Sequence, residues 1–163
     1  MVIIRKARKS DKGQLLHLQR SFSAETTLNR RMVSKKLFEL LQYHDYEQNL
    51  KDDIRKYIAT DSKKGICFVA EENEKLIGVI FGLVKNQPKK VLHTLGYVND
   101  WFVLKECRGK GVGKLLWLKM MAWFRKRRCK AVELKVYPNN KSATAVYRKL
   151  GLIDTMVTMS KKL

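Results

Sequence analysis

The sequence is poor in cysteine and acidic residues, and it lacks long apolar runs. Its three cysteines, Cys67, Cys107 and Cys129, are odd in number and lack metal-ligand spacing, so we expect reduced thiols packed as small apolar side chains. No apolar run approaches the roughly 20 residues of a membrane span. The N-terminus carries no apolar signal-peptide core. These absences argue against a disulfide scaffold, a metal site and a membrane protein, and they predict a cytoplasmic one.

Acidic residues number only 15 against 35 lysines and arginines, which gives a formal net charge of +20. Ten basic residues and one acid, Glu106, lie between Lys105 and Lys130. A polyanionic cofactor would account for part of this charge and nucleic acid for more, whereas a solvated surface needs no partner at all. Because no recognition motif accompanies the charge, nucleic acid is not the favoured partner. Free polyamines also fit poorly, since a cationic surface repels cations.

The length of 163 residues and an apolar content of 45% predict one globular domain, residues 1–163. No repeat or linker divides it, and the order of elements predicts a mixed α/β fold. Helices are expected after Ser10 or Asp11, over about 31–60 with a break near His44 and Asp45, after Gly113 and after Asn140. Strands are expected over Val2–Ala7, from Gly65, over Leu76–Val84, about Leu92–Leu104 with a bulge at Gly96, Ala131–Val136 and Leu152–Ser160.

A glycine-rich stretch lies between the strand-like Trp101–Leu104 and the helix-like Leu115–Phe124. Alternate glycines bring a ligand close to the backbone, and the N–H groups and dipole of a helix start attract anions. Three basic side chains add full charges, so the stretch predicts a phosphate or pyrophosphate site. Its residues are Arg108, Gly109, Lys110, Gly111, Val112, Gly113 and Lys114.

The spacing of this loop excludes the two common nucleotide motifs. A Walker A loop would need glycine at position 108 and a hydroxyl at 115, where Arg108 and Leu115 stand. A Rossmann fingerprint would need glycine at 114, which is Lys114. The spacing Arg-x-x-Gly-x-Gly remains.

This loop, with the segment from Asn140 to Leu152, resembles the GCN5-related N-acetyltransferase (GNAT) family. That family carries Gln/Arg-x-x-Gly-x-Gly/Ala and, further on, Asn-x-x-Ala-x-x-x-Tyr-x-x-x-Gly-Phe, for which this chain has Leu152 in place of the aromatic residue. The resemblance is close from about Val98 to Leu152. It implies a mixed, mostly antiparallel central sheet flanked by helices, with strands four and five splayed apart. It also implies acetyl-CoA as the cofactor, with its pyrophosphate on Arg108–Lys114.

The resemblance further implies how the rest of the cofactor is held. The pantetheine arm would pair with the backbone of strand four at Phe102 and Val103. Tyr147 would protonate the departing thiolate. Asn140, together with Ala143 in the same motif, would bind the cofactor, although capping the last helix is an equally good reason for an asparagine there.

The general base is less evident. Asn99, Asp100 and Val103 fall in a stretch that resembles the Glu-Asp-x-x-Val of polyamine-acetylating relatives, but Asn99 stands where they carry a carboxylate and cannot accept a proton. Asp100 is the nearest carboxylate, and strand alternation points it to the other face unless a bulge intervenes. Tyr97 shares the parity of Asn99 and would shape the acceptor pocket. A weak base favours an α-amine acceptor, with a pKa near ~8, over an ε-amine near ~10.4.

The sequence thus predicts an acetyl-CoA-dependent N-acetyltransferase that acts by direct transfer on a primary amine, such as a protein N-terminus or a small molecule. One alternative is a non-catalytic protein of the same fold that binds nucleic acid, although such a module needs neither Gly113 nor Tyr147. Another is an enzyme whose acceptor is RNA-associated. The identity of the amine stays open, and so does a homodimer, which is common among relatives. No metal is implied.

Overall fold

A computed structural model describes residues 1–26 and 44–161 of the chain. The chain divides into two compact units. The first unit contains Met1–Phe22 and Glu47–Lys135. The second unit is described over residues 23–26, 44–46 and 136–161. That residues 1–163 form one domain stays a prediction.

The first unit is built on a five-stranded mixed sheet whose strands lie side by side in chain order. All neighbours pair antiparallel except the last two, which are parallel. The apolar run that begins at Leu76 becomes the buried central strand, as its length predicts. The strands are β1 (Ile3–Lys6), β2 (Gly65–Glu72), β3 (Lys75–Asn86), β4 (Thr94–Val103) and β5 (Ala131–Leu134).

Four helices accompany the described strands: α1 (Lys12–Glu25), α2 (Tyr46–Ala59), α3 (Val112–Lys126) and α4 (Lys141–Lys149). The mixed α/β fold, predominantly antiparallel, is therefore confirmed. None of the described helices is long and apolar enough to cross a membrane. Two of the cysteines, Cys67 and Cys107, are buried thiols as predicted, and Cys129 is half-buried.

One face of the sheet packs against α1 and α2. Apolar residues recur at helical spacing on these helices and meet the inward residues of the strands, because each element must bury one apolar side. The tyrosine of α2, Tyr57, stacks on Phe81 of β3 with ring centroids 4.2 Å apart. This core contains Leu15, Leu18, Ile54, Tyr57, Cys67, Val69, Leu76, Val79, Phe81 and Phe102.

The other face packs against α3, and glycines on the strands allow the helix to approach closely. A Cβ atom at Gly96 would lie 2.7 Å from the ring of Phe124, and one at Gly82 would lie 2.6 Å from the Met120 sulfur. The bulge predicted at Gly96 is therefore wrong, since this glycine makes room for an aromatic ring. The bulge of β4 lies at Asn99, because Phe81 pairs with Asp100 while Gly82 pairs with Val98.

Three further predictions meet the structure at the edges of elements. Asp11 does not simply cap α1: it ends a short 3-10 turn, where its carboxylate accepts from the Arg8 N–H at 2.7 Å and pairs with Arg5. The break predicted near Asp45 is confirmed, because Asp45 has φ 50° immediately before α2. The part of the predicted helix over 31–43 lies outside the described residues.

The strand predicted over Leu152–Ser160 is not formed in the second unit. Gly151, at φ 86°, closes α4 with a bond from the Leu152 N–H to the Tyr147 carbonyl at 3.1 Å. The residues that follow have no regular structure, and Ile153, Met156 and Met159 are exposed. A β-rich composition makes a strand only where a neighbouring strand supplies the hydrogen-bonded ladder.

Candidate active site

The glycine-rich loop begins α3. Gly109 and Gly111 have φ 77° and 81°, in the left-handed region that glycine adopts without strain. A Cβ at either position would have nothing within 4 Å, so conformation rather than crowding explains these glycines. Gly111 is the N-cap of α3, and the first intrahelical bond runs from the Leu115 N–H to its carbonyl at 3.1 Å.

The helix start presents its backbone donors beside β4. The N–H groups of Val112, Gly113 and Lys114 precede the first intrahelical bond and so point out of the helix end. A Cβ at Gly113 would lie 3.6 Å from the ring of Trp101 and 3.8 Å from Val103. The predicted anion-binding loop is thus adjacent to the C-terminal half of β4.

One edge of β4 is open in this half. The parallel pairing with β5 covers only Leu95 to Val98. Among the described residues of the first unit, no strand continues that pairing over 99–103. Within the first unit the pairing of strands four and five ends at Val98 and Leu134, and their splaying stays a prediction.

The backbone direction along β4 follows from one hydrogen bond. The Leu104 N–H donates to the Ile77 carbonyl at 2.9 Å, which directs residue 104 towards β3. Because direction alternates along an antiparallel strand, Phe102 also faces β3, while Trp101 and Val103 direct their N–H and C=O groups to the open edge. The sequence predicted the backbone groups of Phe102 and Val103 at this edge. Val103 does face the edge, but the other residue that faces it is Trp101, because Phe102 faces β3.

Arg108 turns towards this edge rather than into the loop. Its Nε donates to the Val103 carbonyl at 2.9 Å, and its guanidinium lies 5.3 Å from the centre of the Phe102 ring. Lys110 and Lys114 are exposed. Arg108 therefore joins the glycine-rich loop to the end of β4, and the two lysines carry the free charge of the loop.

The bulge at Asn99 reverses the alternation of β4. Before the bulge, Val98 pairs with Gly82, on the face covered by α3. After it, Trp101 lies on that face and stacks on Trp117 of α3 with centroids 5.1 Å apart. Asp100 therefore points to the face covered by α1 and α2. The condition that the sequence set for Asp100, an intervening bulge, is met.

Asp100 lies in a network of buried polar groups on that face. The Tyr57 hydroxyl donates to Oδ2 of Asp100. The amide of Asn99 donates to the same oxygen at 2.7 Å. Gln19 of α1, itself buried, donates through Nε2 to the Tyr57 hydroxyl oxygen at 2.7 Å.

The electrostatics of this network favour proton exchange. Burial raises the pKa of Asp100 above its ordinary value, and the donors Tyr57, Asn99 and Gln19 oppose that rise. Burial and the neighbouring carboxylate raise the pKa of Tyr57 well above 10, so its hydroxyl keeps its proton. Carboxyl groups with a raised pKa are candidates for a general base, and Asp100 remains the candidate that the sequence named.

The second unit carries the remaining motif residues. The Oδ1 of Asn140 accepts from the Ala143 N–H at 3.2 Å, so Asn140 caps α4, one of the two roles open to it. Tyr147 is half-buried on the same helix, and burial raises the pKa of its phenol. Both residues stand four or fewer positions from Ala143, within one short helix.

Sequence reasoning found the loop, the strand and Asp100, but it missed Tyr57 and Gln19. The apolar periodicity of α1 and α2 predicts that both helices are amphipathic. It predicts that Tyr57 is buried, but it does not predict a polar partner for its hydroxyl. A buried glutamine was the available signal, because a buried amide needs a hydrogen-bond partner.

The first unit thus combines a glycine-rich helix start with a strand edge that no described strand of the unit covers over residues 99–103. The profile of the Acetyltransferase (GNAT) family matches residues 30–152, most of the chain. The chain therefore belongs to the GNAT acetyltransferase family. No protein of curated function matches the sequence significantly.

Solved structures agree with this assignment at the level of the fold. A tetramutant of the BH1408 protein from Bacillus halodurans is 21% identical, with a TM-score of 0.81 and 99% of each chain covered. A predicted acetyltransferase from Clostridium acetobutylicum, solved with acetyl-CoA, is 18% identical, with a TM-score of 0.76 and coverage of 99% and 96%. The aminoglycoside N-acetyltransferase AAC(6')-Iy, solved with CoA, is 16% identical, with a TM-score of 0.72 and coverage of 100% and 95%.

Proposed function

We propose that the protein transfers an acetyl group from acetyl-CoA directly to a primary amine. The observation that carries this proposal is the glycine-opened start of α3 beside the open edge of β4. Membership of the acetyltransferase family supports the same chemistry. Two structures of this fold were solved with acetyl-CoA or CoA. A cytoplasmic location is part of the proposal, and its free thiols suit a reducing compartment.

The first unit contains the groups that would hold the cofactor. The pyrophosphate would lie on the N–H groups of Val112, Gly113 and Lys114, with the lysine charges of the loop beside it. The pantetheine arm would pair with the open edge of β4 through Trp101 and Val103. A backbone N–H of this edge would then donate to the oxygen of the thioester, an interaction worth about 3 kcal/mol in comparable sites.

The transfer would follow from a sequence of proton movements. Asp100 would take a proton from the acceptor ammonium, and the freed lone pair would attack the thioester carbonyl carbon, so that the C–N bond forms and the C–S bond breaks. Tyr147, on the helix that Asn140 and Ala143 begin, would give its proton to the departing thiolate. The second proton of the amine nitrogen would then pass to the Tyr147 phenolate, which leaves a neutral amide and restores the phenol. With its raised pKa, the phenol is fully protonated at neutral pH and available as the donor.

The position of Asp100 widens the set of acceptors. The sequence favoured an α-amine because a carboxylate was missing at Asn99. A carboxylate at Asp100 relaxes that restriction, since it would offer a proton acceptor to either kind of amine. We therefore propose primary amines in general, and an acceptor screen should include aminoglycosides beside peptide N-termini and small amines.

Calorimetric titration with acetyl-CoA, run beside ATP and NAD at the same salt concentration, tests the cofactor. We expect dissociation in the micromolar range for acetyl-CoA alone. Gly111→Val should abolish that binding, because its φ of 81° excludes a branched side chain. Gly113→Ala is the matched control, since its Cβ meets only ordinary contacts at 3.6 Å. Equal, weak and salt-sensitive binding of all three ligands would refute the proposal.

The acceptor is then sought by following thiol release during an amine screen. Asp100→Asn should lower turnover on any amine found by about 100-fold or more, because the amide cannot take the proton. Asn99→Ala keeps Asp100 and removes one of its donors, so it should retain most of the turnover.

A further inference from the structure

Asp100 contacts a tyrosine that the transfer reaction itself does not use. Tyr57 is 3% exposed, and its ring is fixed by stacking on Phe81 at 4.2 Å. Its hydroxyl donates to Oδ2 of Asp100. Because the stacked ring cannot move, the phenol oxygen has a fixed position, and only the hydroxyl hydrogen can still rotate.

Gln19 removes that remaining freedom. Its Nε2 donates to the Tyr57 oxygen at 2.7 Å, and Gln19 is 4% exposed. Since the amide nitrogen can only donate, it occupies an acceptor position of the hydroxyl and directs the single hydroxyl proton away from itself. That proton is therefore committed to Asp100.

Two donors converge on one oxygen of the carboxylate. Tyr57 reaches Oδ2 from α2, and Asn99 reaches the same atom from the bulge at 2.7 Å. The carboxylate is thereby held through Oδ2 by donors from two different elements.

We propose that Tyr57, oriented by Gln19, is a positioning residue that fixes the Asp100 carboxylate for proton transfer from the acceptor amine. The inference rests on the proposed function. It also assigns a role to α1 and α2, whose polar core residues otherwise have no part in the transfer. The alternative is that the hydrogen bonds from Gln19 to Tyr57 and from Tyr57 to Asp100 only satisfy buried polar groups in the core.

A pH test must consider every charged or titratable group near Asp100. Several neighbouring groups shift the pKa of Asp100 or have their own pKa shifted by it. The titratable ones are Tyr57, Lys56 and Asp53 on α2, Tyr97 on β4 and Cys67 on β2, and the neutral donors are Gln19 and Asn99. Tyr57→Phe leaves all the other groups in place.

The direct readout is the Asp100 pKa, measured by carbon-13 NMR of its side-chain carboxyl group without substrate. Tyr57→Phe keeps the ring stack but removes a donor that favours the carboxylate, so the pKa should rise by about one unit. Gln19→Leu should raise it in the same direction. Tyr46→Phe is the matched control, because it makes the same change on α2 about 16 Å of axial rise away, and it should leave the pKa unchanged.

Kinetics supply the second readout. The acidic limb of kcat/KM should move up by the same amount in Tyr57→Phe. In the Asp100→Asn background, Tyr57→Phe should have no further effect, because its role passes through Asp100. An unchanged Asp100 pKa, or additive losses in the double variant, would overturn the proposal. If the pKa moves but no amine is ever acetylated, the proposed function fails while the positioning of Asp100 stands.

Discussion

A single inserted residue decides which face of the sheet receives the candidate base. Regular alternation would place Asp100 beside α3, and the extra residue, Asn99, reverses that direction. The amide at position 99, where the stretch it resembles has a carboxylate, therefore need not remove the base. With the bulge, the candidate base is the next residue along the strand, Asp100.

Tyr147 is the residue whose role is most readily tested at this scale. Tyr147→Phe should lower kcat by about 100-fold, because the thiolate loses its proton donor, while acetyl-CoA affinity stays nearly unchanged. Stopped-flow thiol release and calorimetry measure the two quantities. Tyr137→Phe makes the same change in the second unit and should keep full turnover. Full turnover in Tyr147→Phe would remove the acid role.

At the scale of elements, the position of α3 depends on glycines in the strands beneath it, which have no side chains to keep the helix away. Gly78, Gly82 and Gly96 each stand where a side chain would collide with α3 or its neighbours. The helix begins with the glycine-rich loop, so its approach to the sheet also sets how the loop meets β4. If the loop binds the cofactor as proposed, packing of this helix and cofactor binding are coupled.

Gly96→Ala tests this coupling. The new methyl group would lie 2.7 Å from the Phe124 ring, and we expect a loss of about 1–3 kcal/mol in the free energy of unfolding. Denaturant titration measures it. Gly13→Ala, an exposed position of α1 with nothing within 4 Å, should instead gain about 0.5–1 kcal/mol. Equal stability of the two variants would show that α3 does not depend on close packing at Gly96.

At the scale of the whole molecule, the excess of positive charge is the main electrostatic feature. Exposed cations follow the end of α3, among them Arg125, Lys126, Arg128 and Lys130. A nucleic-acid partner for this surface stays a prediction. In contrast, two carboxylates of the first unit, Asp11 and Glu71, are engaged in specific contacts, because both pair with Arg5 of β1.

Asp11 should make stability sensitive to acid. The Arg5 guanidinium and the Arg8 N–H lower the pKa of this carboxyl below its ordinary 3.8. Its contribution is therefore complete above the unfolded-state pKa and is lost as the pH falls through the lower folded value. Asp11→Asn should cost about 2 kcal/mol at neutral pH, and the difference from wild type should shrink below about pH 4. A difference that persists at lower pH would contradict this origin.

Much of the protein followed from the sequence because the relevant signals are local. Glycine spacing, the apolar run of β3 and the amphipathic period of α2 predicted their elements, since backbone conformation and one-sided burial act over a few residues. The same local reasoning failed at Gly96 and over Leu152–Ser160. There the outcome depends on a neighbour distant in sequence, an aromatic ring in one case and a pairing strand in the other.

The family motifs and the anion-binding loop were thus determined by the sequence itself, because each depends on residue types at fixed short spacing. Only the tertiary structure decided the direction of Asp100, the choice of Trp101 over Phe102 at the open edge, and the donors Tyr57 and Gln19. These depend on strand register and on contacts between residues far apart along the chain, 38 positions for Gln19 and Tyr57 and 43 for Tyr57 and Asp100. Register is defined only between two paired strands, so the sequence of one strand does not determine it.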